Sequence, residues 1–180
     1  MNDTVVCSVC GQSHRKSEIE LFFQRPDVVH ALSEEERDNR CKSTSDAWML
    51  DGERFFLRGL LPLPVHDASR RYNIGVWAEV SRDVFTRVNE LWTDPAQSAE
   101  PRMPAALANE LPLVSGTLGL PVAIQLTGPS TRPEYYVETA EHQLYSEQAR
   151  GISAHRALEY SDTTIRGLPS NKSLERTRER

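Results

Sequence analysis

Cys7-Ser-Val-Cys10-Gly11 is the segment of this sequence with the most pointed chemistry. Two intervening residues let both sulfurs face one ion, and the glycine lets the following amides turn toward sulfur. A structural Zn²⁺ takes four such ligands in a tetrahedron. His14, four residues after Cys10, is a third donor, and a fourth would come from Cys41, His30 or His142. There is no second Cys-x-x-Cys pair, so two readings stand side by side. One is a structural Zn²⁺ on Cys7, Cys10 and His14; the other is a metal-free knuckle with reduced thiols. A redox reading is a third. Thioredoxin-like pairs open a helix whose N-terminus lowers the thiol pKa, and here Gly11-Gln-Ser-His-Arg-Lys16 follows with no apolar helical stripe.

Other reactive types are scattered. Arg58 lies in an apolar run and Arg132 precedes a proline. Either guanidinium suits bidentate contact with an anion. The plainer expectation for Arg58 is solvent, or a carboxylate such as Asp46 or Asp51. Trp48, Trp77 and Trp92 are expected in the core rather than in a pocket. Glu141-His142 with Arg150 suggests acid–base work by residue type alone. The sequence has no Gly-x-Ser-x-Gly elbow, Walker loop or Gly-x-Gly-x-x-Gly turn, so those hydrolase and nucleotide-binding signatures lack support. No catalytic constellation is assigned.

These residues must be carried by a single small domain, since 180 residues are short for two. The mean hydropathy is −0.53, and no apolar run approaches the roughly 20 residues a membrane span requires. Met1-Asn-Asp-Thr4 lacks the basic and apolar regions of a signal peptide. The expected location is therefore cytoplasmic, where the three cysteines stay reduced. Net charge is −5, with five Lys/Arg and three Asp/Glu in residues 161–180, so the tail is +2 and the body −7. An acidic body argues against nucleic acid as the main partner; a protein partner is compatible with it.

Local signals place the elements. Ser33-Glu-Glu-Glu36 is a capping box opening a helix through about Asn39. Ala47–Leu50 and Arg54–Leu61 read as strands around an Asp51-Gly52 hairpin turn. Tyr72–Val80 reads as another strand, with Gly75 marking a bulge or a close backbone approach. Ser81 caps a helix whose stripe is Val84, Phe85, Val88, Leu91 and Trp92. Ala105–Leu111 reads as a short helix stopped by Pro112. Val122–Thr127 and Glu134–Glu138 read as strands about a Gly128–Pro133 turn, and 141–158 as helix interrupted at Gly151. The expected fold is α+β: a mostly antiparallel sheet, helices packed on one face, and an N-terminal zinc-knuckle-like loop. The expected domain is 1–160, knuckle (7–14) included, with a disordered tail over 161–180.

The order of motifs resembles a bacterial family, domain of unknown function 2199. The matching pieces are Cys7-Ser-Val-Cys10-Gly11-Gln-Ser-His14, Pro26-Asp27, Leu32-Ser-Glu-Glu-Glu36-Arg37 and Ser45-Asp46. Phe55-Phe-Leu-Arg58-Gly59-Leu-Leu-Pro-Leu-Pro64-Val65, Gly75-Val-Trp77, Ser81, Phe85, Leu111-Pro112 and Thr117-Leu118 follow. Arg132-Pro133, Glu141-His142-Gln-Leu144, Gln148 and Gly151-Ile152 complete the set, over about residues 7–157. The family pattern has His-Pro-Leu-Ala where this chain has His142-Gln-Leu-Tyr145. The resemblance implies no activity, cofactor or partner.

The sequence is thus read as a small binding or regulatory domain with a structural zinc knuckle. The alternatives are an enzyme with an open zinc position and a metal-free protein-interaction domain.

Overall fold

The computed structural model describes residues 4–6, 13–15, 19–66, 70–129 and 131–167, with backbone alone for 4–6, 13–15 and 165–167. Two short strands, β1 (Thr4–Val6) and β2 (Ser13–Arg15), pair antiparallel. A four-residue α1 (Asp27–His30) leads to α2 (Glu34–Arg40). The expected capping box opens α2: the Ser33 hydroxyl accepts from the Glu36 amide at 3.2 Å, and the Glu36 carboxylate accepts from the Ser33 amide at 2.9 Å. Those hydrogen bonds hold the Glu36 carboxyl below its ordinary pKa.

Seven strands form the main sheet. They are β3 (Cys41–Ser43), β4 (Ala47–Leu50), β5 (Arg54–Pro64), β6 (Arg71–Val80), β7 (Met103–Leu107), β8 (Pro121–Gln125) and β9 (Glu134–Val137). Asp51 and Gly52 both take positive φ, 55° and 71°, between β4 and β5. A primed hairpin turn requires that conformation, and Asp-Gly supplies it at little cost. Neighbours along the sheet pair antiparallel. One further pairing changes the architecture: β9 meets β5 in parallel at Leu60↔Glu134. The cycle β5-β6-β7-β8-β9 is therefore a closed five-stranded barrel, and β3-β4 extends it as a hairpin.

Closure depends on Gly59. A Cβ there would lie 2.3 Å from Tyr135 Cε2 and 2.8 Å from the Pro133 carbonyl oxygen. The missing side chain lets β9 approach, the Leu60 amide bond the Pro133 carbonyl at 2.9 Å, and the Tyr135 hydroxyl donate to the Leu57 carbonyl at 2.8 Å. Full burial pushes the Tyr135 phenol far above its ordinary pKa, so it stays a donor.

Strand alternation gives β5 and β6 two apolar faces. Phe55, Leu57, Leu61, Leu63, Tyr72, Ile74, Val76 and Val80 belong to the interior cluster, with Val122, Ile124, Tyr135 and Val137 across from them. Phe56 and Trp77 face outward into a second cluster with Val29, Leu50 and Ala108. Gly75 is the expected close approach: it bridges Phe22, with amide and carbonyl bonded to Leu21 and Phe23.

The expected layer of helices on one face of an open sheet is replaced by helices over the two ends of the barrel. Helix α3 (Arg82–Leu91), capped by Ser81, sets Phe85 against Phe55 with ring centroids 5.0 Å apart. Helix α5 (Ala154–Gly167) stacks Tyr160 on Tyr72 at 6.0 Å. Phe55 pairs with Val80 and Tyr72 with Leu63, so these contacts lie at opposite ends of the β5–β6 ladder. Helix α4 (Gln143–Arg150) buries Leu144 in the interior cluster.

Two further expectations change. Ala105–Leu111 is not a helix: Met103–Leu107 is strand β7, paired with β8 over four residues. Its Ala-rich composition favours helix locally, and the partner strand overrides that preference. Helix α5 continues to Gly167, so the expected boundary at 160 falls inside it. Ser161 is buried, its hydroxyl bonded to Ala157 O and Tyr72 Oη. Residues 168–180 lie outside the described residues.

Candidate functional site

The edge of β5 that faces away from β6 is shared between two strands. Strand β4 occupies that edge from Arg54 to Leu57, and Asp46 extends it by one bond, the Arg58 amide donating to the Asp46 carbonyl at 2.9 Å. Two residues later the Leu60 amide donates to Pro133, and β9 takes over. The edge thus passes from one strand to another between Arg58 and Leu60. Asp46 and Arg132 stand on the two sides of this gap, and Arg132 Nε donates to Asp46 Oδ1 at 2.9 Å. Ser45 Oγ donates to the other carboxylate oxygen at 2.5 Å. Burial opposes the charge on Asp46, but hydrogen bonds from Ser45 and Arg132 and the charges of Arg132 and Arg58 hold its carboxyl below the ordinary value.

Arg58 is half-buried, its guanidinium carbon 5.9 Å from the centroid of Trp77, its cross-strand neighbour on β6. It pairs with neither expected carboxylate. Asp46 is taken by Arg132, and Asp51 by Arg40 through a two-pronged contact at 3.0 and 2.7 Å. Among the described residues Arg58 has no ion pair and no side-chain hydrogen bond, and its Nε is shut from solvent without a partner. Burial first, and the nearby Arg132 charge second, lower the guanidinium pKa; Asp46 only partly offsets them. A cleft of about 480 Å³ opens beside the Asp46–Arg132 pair, lined by Asp46, Leu60, Trp92, Pro129, Thr131 and Arg132.

The tryptophans divide. Trp77 is core, 1% exposed, its indole N–H donating to Phe23 O at 3.0 Å. Trp48 is half-buried against the outer cluster, and Trp92 lines the cleft.

The knuckle residues Cys7 and Cys10 lie outside the described residues. The register on either side of them is described: Val6 pairs with Ser13 and Val5 with His14, so segment 7–12 joins two paired strands. Among the three candidates for a fourth ligand, His30 ends α1 on the surface, and Cys41 opens β3, half-buried. Desolvation, then the Asp51 charge, raise the Cys41 thiol pKa. His142 is committed elsewhere: Nδ1 accepts from the Leu144 amide at 3.1 Å, capping α4, and Nε2 contacts the Ser115 carbonyl at 3.2 Å. Those partners fix the Nε2–H tautomer and occupy both nitrogens. They also hold His142 on the 115–116 loop rather than on β5 or β6. Gln143 sits at the first helical position, where proline is equally at home, so His-Gln and His-Pro start the same helix. Among the described residues no cluster of three or more His, Cys, Asp or Glu is placed to hold a metal.

Two polar centres carry no local sequence signal. Asn109, fully buried, accepts from the Trp77 amide at 2.8 Å and donates to Arg25 O and Asp27 Oδ1, extending the β6–β7 ladder with a side chain. Glu147 accepts from Tyr160 at 2.6 Å and from Arg156 at 2.9 Å, tying α4 to α5.

The family described as an uncharacterised protein conserved in bacteria, domain of unknown function 2199, matches residues 6–152. The chain belongs to this family. The match takes in the knuckle sequence, both candidate arginines and the whole barrel, so the domain of unknown function 2199 here is a closed five-stranded barrel, and α5 lies beyond the match. No curated protein and no solved structure matches the chain. No helix among the described residues is long and apolar enough to cross a membrane.

Proposed function

We propose that this protein is a small binding or regulatory module whose amino-terminal hairpin is fastened by a structural Zn²⁺ on Cys7, Cys10 and His14. The observation that carries the metal reading is the β1–β2 pairing. An antiparallel register that sets Val6 against Ser13 returns the chain within six residues, and both cysteines lie in that return, with His14 two residues past it. Two strands of three residues hold each other weakly on their own. A metal bound only by the folded loop contributes its binding energy to that fold. Of the candidates for the fourth position, Cys41 and His30 remain, because both ring nitrogens of His142 are in use.

The binding reading rests on how the acid–base groups are used. His142 caps a helix, Glu147 joins Arg156 and Tyr160, Asp27 joins Asn109 and the Glu110 amide, and Glu110 accepts from the Gly116 and Leu118 amides. Each of these side chains holds backbone or a neighbouring side chain in place. The cytoplasm is the proposed location, and a protein is the proposed class of partner.

Elemental analysis of protein purified from metal-replete cells tests the metal. One zinc per chain is expected, falling away in Cys10→Ser together with a lower melting temperature. Protein with no stoichiometric zinc overturns the reading. Spectroscopy of a cobalt-substituted sample counts the ligands: four protein donors are expected, and three with solvent make the site a catalytic one.

A further inference from the structure

We propose that the gap where β4 and β9 leave β5 is a binding site for a small oxyanion, a carboxylate or a phosphate, gripped by Arg58 and Arg132. Two cations there share one carboxylate, in a domain whose body is otherwise acidic. Asp46 satisfies only the Nε of Arg132, leaving both terminal nitrogens of that guanidinium without a hydrogen bond among the described residues. Arg58 feels the Asp46 charge but, among the described residues, forms no ion pair or side-chain hydrogen bond with any carboxylate, although it is half-buried. An arginine desolvated without an anion is costly, and an arriving oxyanion supplies the missing charge-assisted hydrogen bonds. Trp77 backs the Arg58 guanidinium at 5.9 Å. A planar fork placed over an aromatic ring presents its edge to a two-oxygen ligand, which a lysine cannot do. The adjoining cleft of about 480 Å³, walled by Leu60, Trp92 and Pro129, has room for the apolar body of a molecule bearing that oxyanion.

A purely structural Arg58 would serve by covering Trp77 with its stem. Arg58→Lys keeps most of that stem and the charge but loses the fork, so it separates the two roles. Calorimetric titration of the whole chain at low ionic strength uses inorganic phosphate and acetate as probes, with chloride as control. Saturable binding of at least one probe is expected. It weakens about tenfold in Arg58→Lys and in Arg132→Gln, since one charge-assisted contact is worth roughly a decade in affinity. Asp46→Asn removes the competing carboxylate and is expected to tighten binding several-fold, a gain that a structural role does not produce. Phosphate alone assigns a phosphoryl ligand; both probes assign the wider carboxylate class. If neither binds the wild-type chain, or if wild type and all three variants bind alike, the site is overturned. Thermal melts accompany each titration, and should Arg58→Lys fail to fold, Arg132→Gln and Asp46→Asn carry the test. None of these residues belongs to the proposed zinc hairpin, so this site and the metal stand or fall separately.

Discussion

Along one edge β5 pairs with β6 over ten residues, from Phe55↔Val80 to Pro64↔Arg71. Along the other it pairs with β4 over four residues and with β9 at Leu60 alone. The first edge is redundant. Its inward residues are almost all buried apolar groups, and a one-residue slip would turn every one of them outward. Where β9 meets β5, the second edge is held by a handful of individual contacts: the Leu60–Pro133 bond, the space at Gly59, the Tyr135 hydroxyl, and the Asp46–Arg132 pair. Few contacts leave polar groups unspent, which is why the unsatisfied Arg58 sits at this edge. Substitutions that strike the split edge while sparing the continuous one test this difference.

The largest effect is expected for Gly59→Ala. The new methyl meets a buried ring and a backbone carbonyl, neither able to move freely. Overpacking of this kind costs about 3 kcal/mol, and loss of β9 from β5 would add to it. Urea unfolding should show a lower midpoint, and amide exchange should quicken in β9 before it does in β6. A variant with wild-type stability, or with uniform exchange changes, would show that the closure is no weaker than the ladder.

Tyr135→Phe is milder. It keeps the ring that fills the space at Gly59 and deletes only the bond to the Leu57 carbonyl. About 1–2 kcal/mol is expected, because the carbonyl oxygen it serves is buried. A cost near zero by chemical unfolding would mean that the hydroxyl plays no part in drawing β9 onto β5.

The β4–β5 hairpin was open to sequence reading and the closure of β9 onto β5 was not, for a physical reason. Asp51-Gly52 fixes a turn, Ser33 and Ser81 fix caps, and the stripe from Val84 to Trp92 fixes a helix, all through contacts within a few residues. Closure couples Gly59 to Tyr135 across half the chain, and the alternation of β5 is the same whether its far edge is open, paired or shared. The Ala-rich Met103–Leu107 shows the same limit, its helical composition overruled by a partner strand that local pattern does not announce. For the site, residue type singled out Arg58 and Arg132, but their shared neighbourhood follows from where β4 and β9 meet β5. Nothing local says that Arg132 and Arg40 take the two carboxylates expected for Arg58. The side-chain geometry at Cys7 and Cys10 lies outside the described residues, so the knuckle remains a reading of spacing and of the strands around it.

The smallest effect separates stability from binding at the same residue. Asp46 is 23% exposed and Arg132 42%, so solvent screens much of their attraction, and Asp46→Asn should cost under about 1 kcal/mol at neutral pH. The pH dependence has a definite sign. Folding lowers the Asp46 pKa, so its contribution is complete above the unfolded value of about 3.9 and is lost as pH falls through the lower folded value. The gap in unfolding free energy between wild type and Asp46→Asn should therefore be constant from pH 7 to 5 and close below pH 4. Asparagine leaves two guanidinium groups with no carboxylate between them, so the variant that is slightly less stable should bind oxyanions more tightly. A gap that persists unchanged at low pH would show that the Asp46 side chain acts through packing and hydrogen bonding rather than through its charge, and would remove the charge from the account of how the two strands meet.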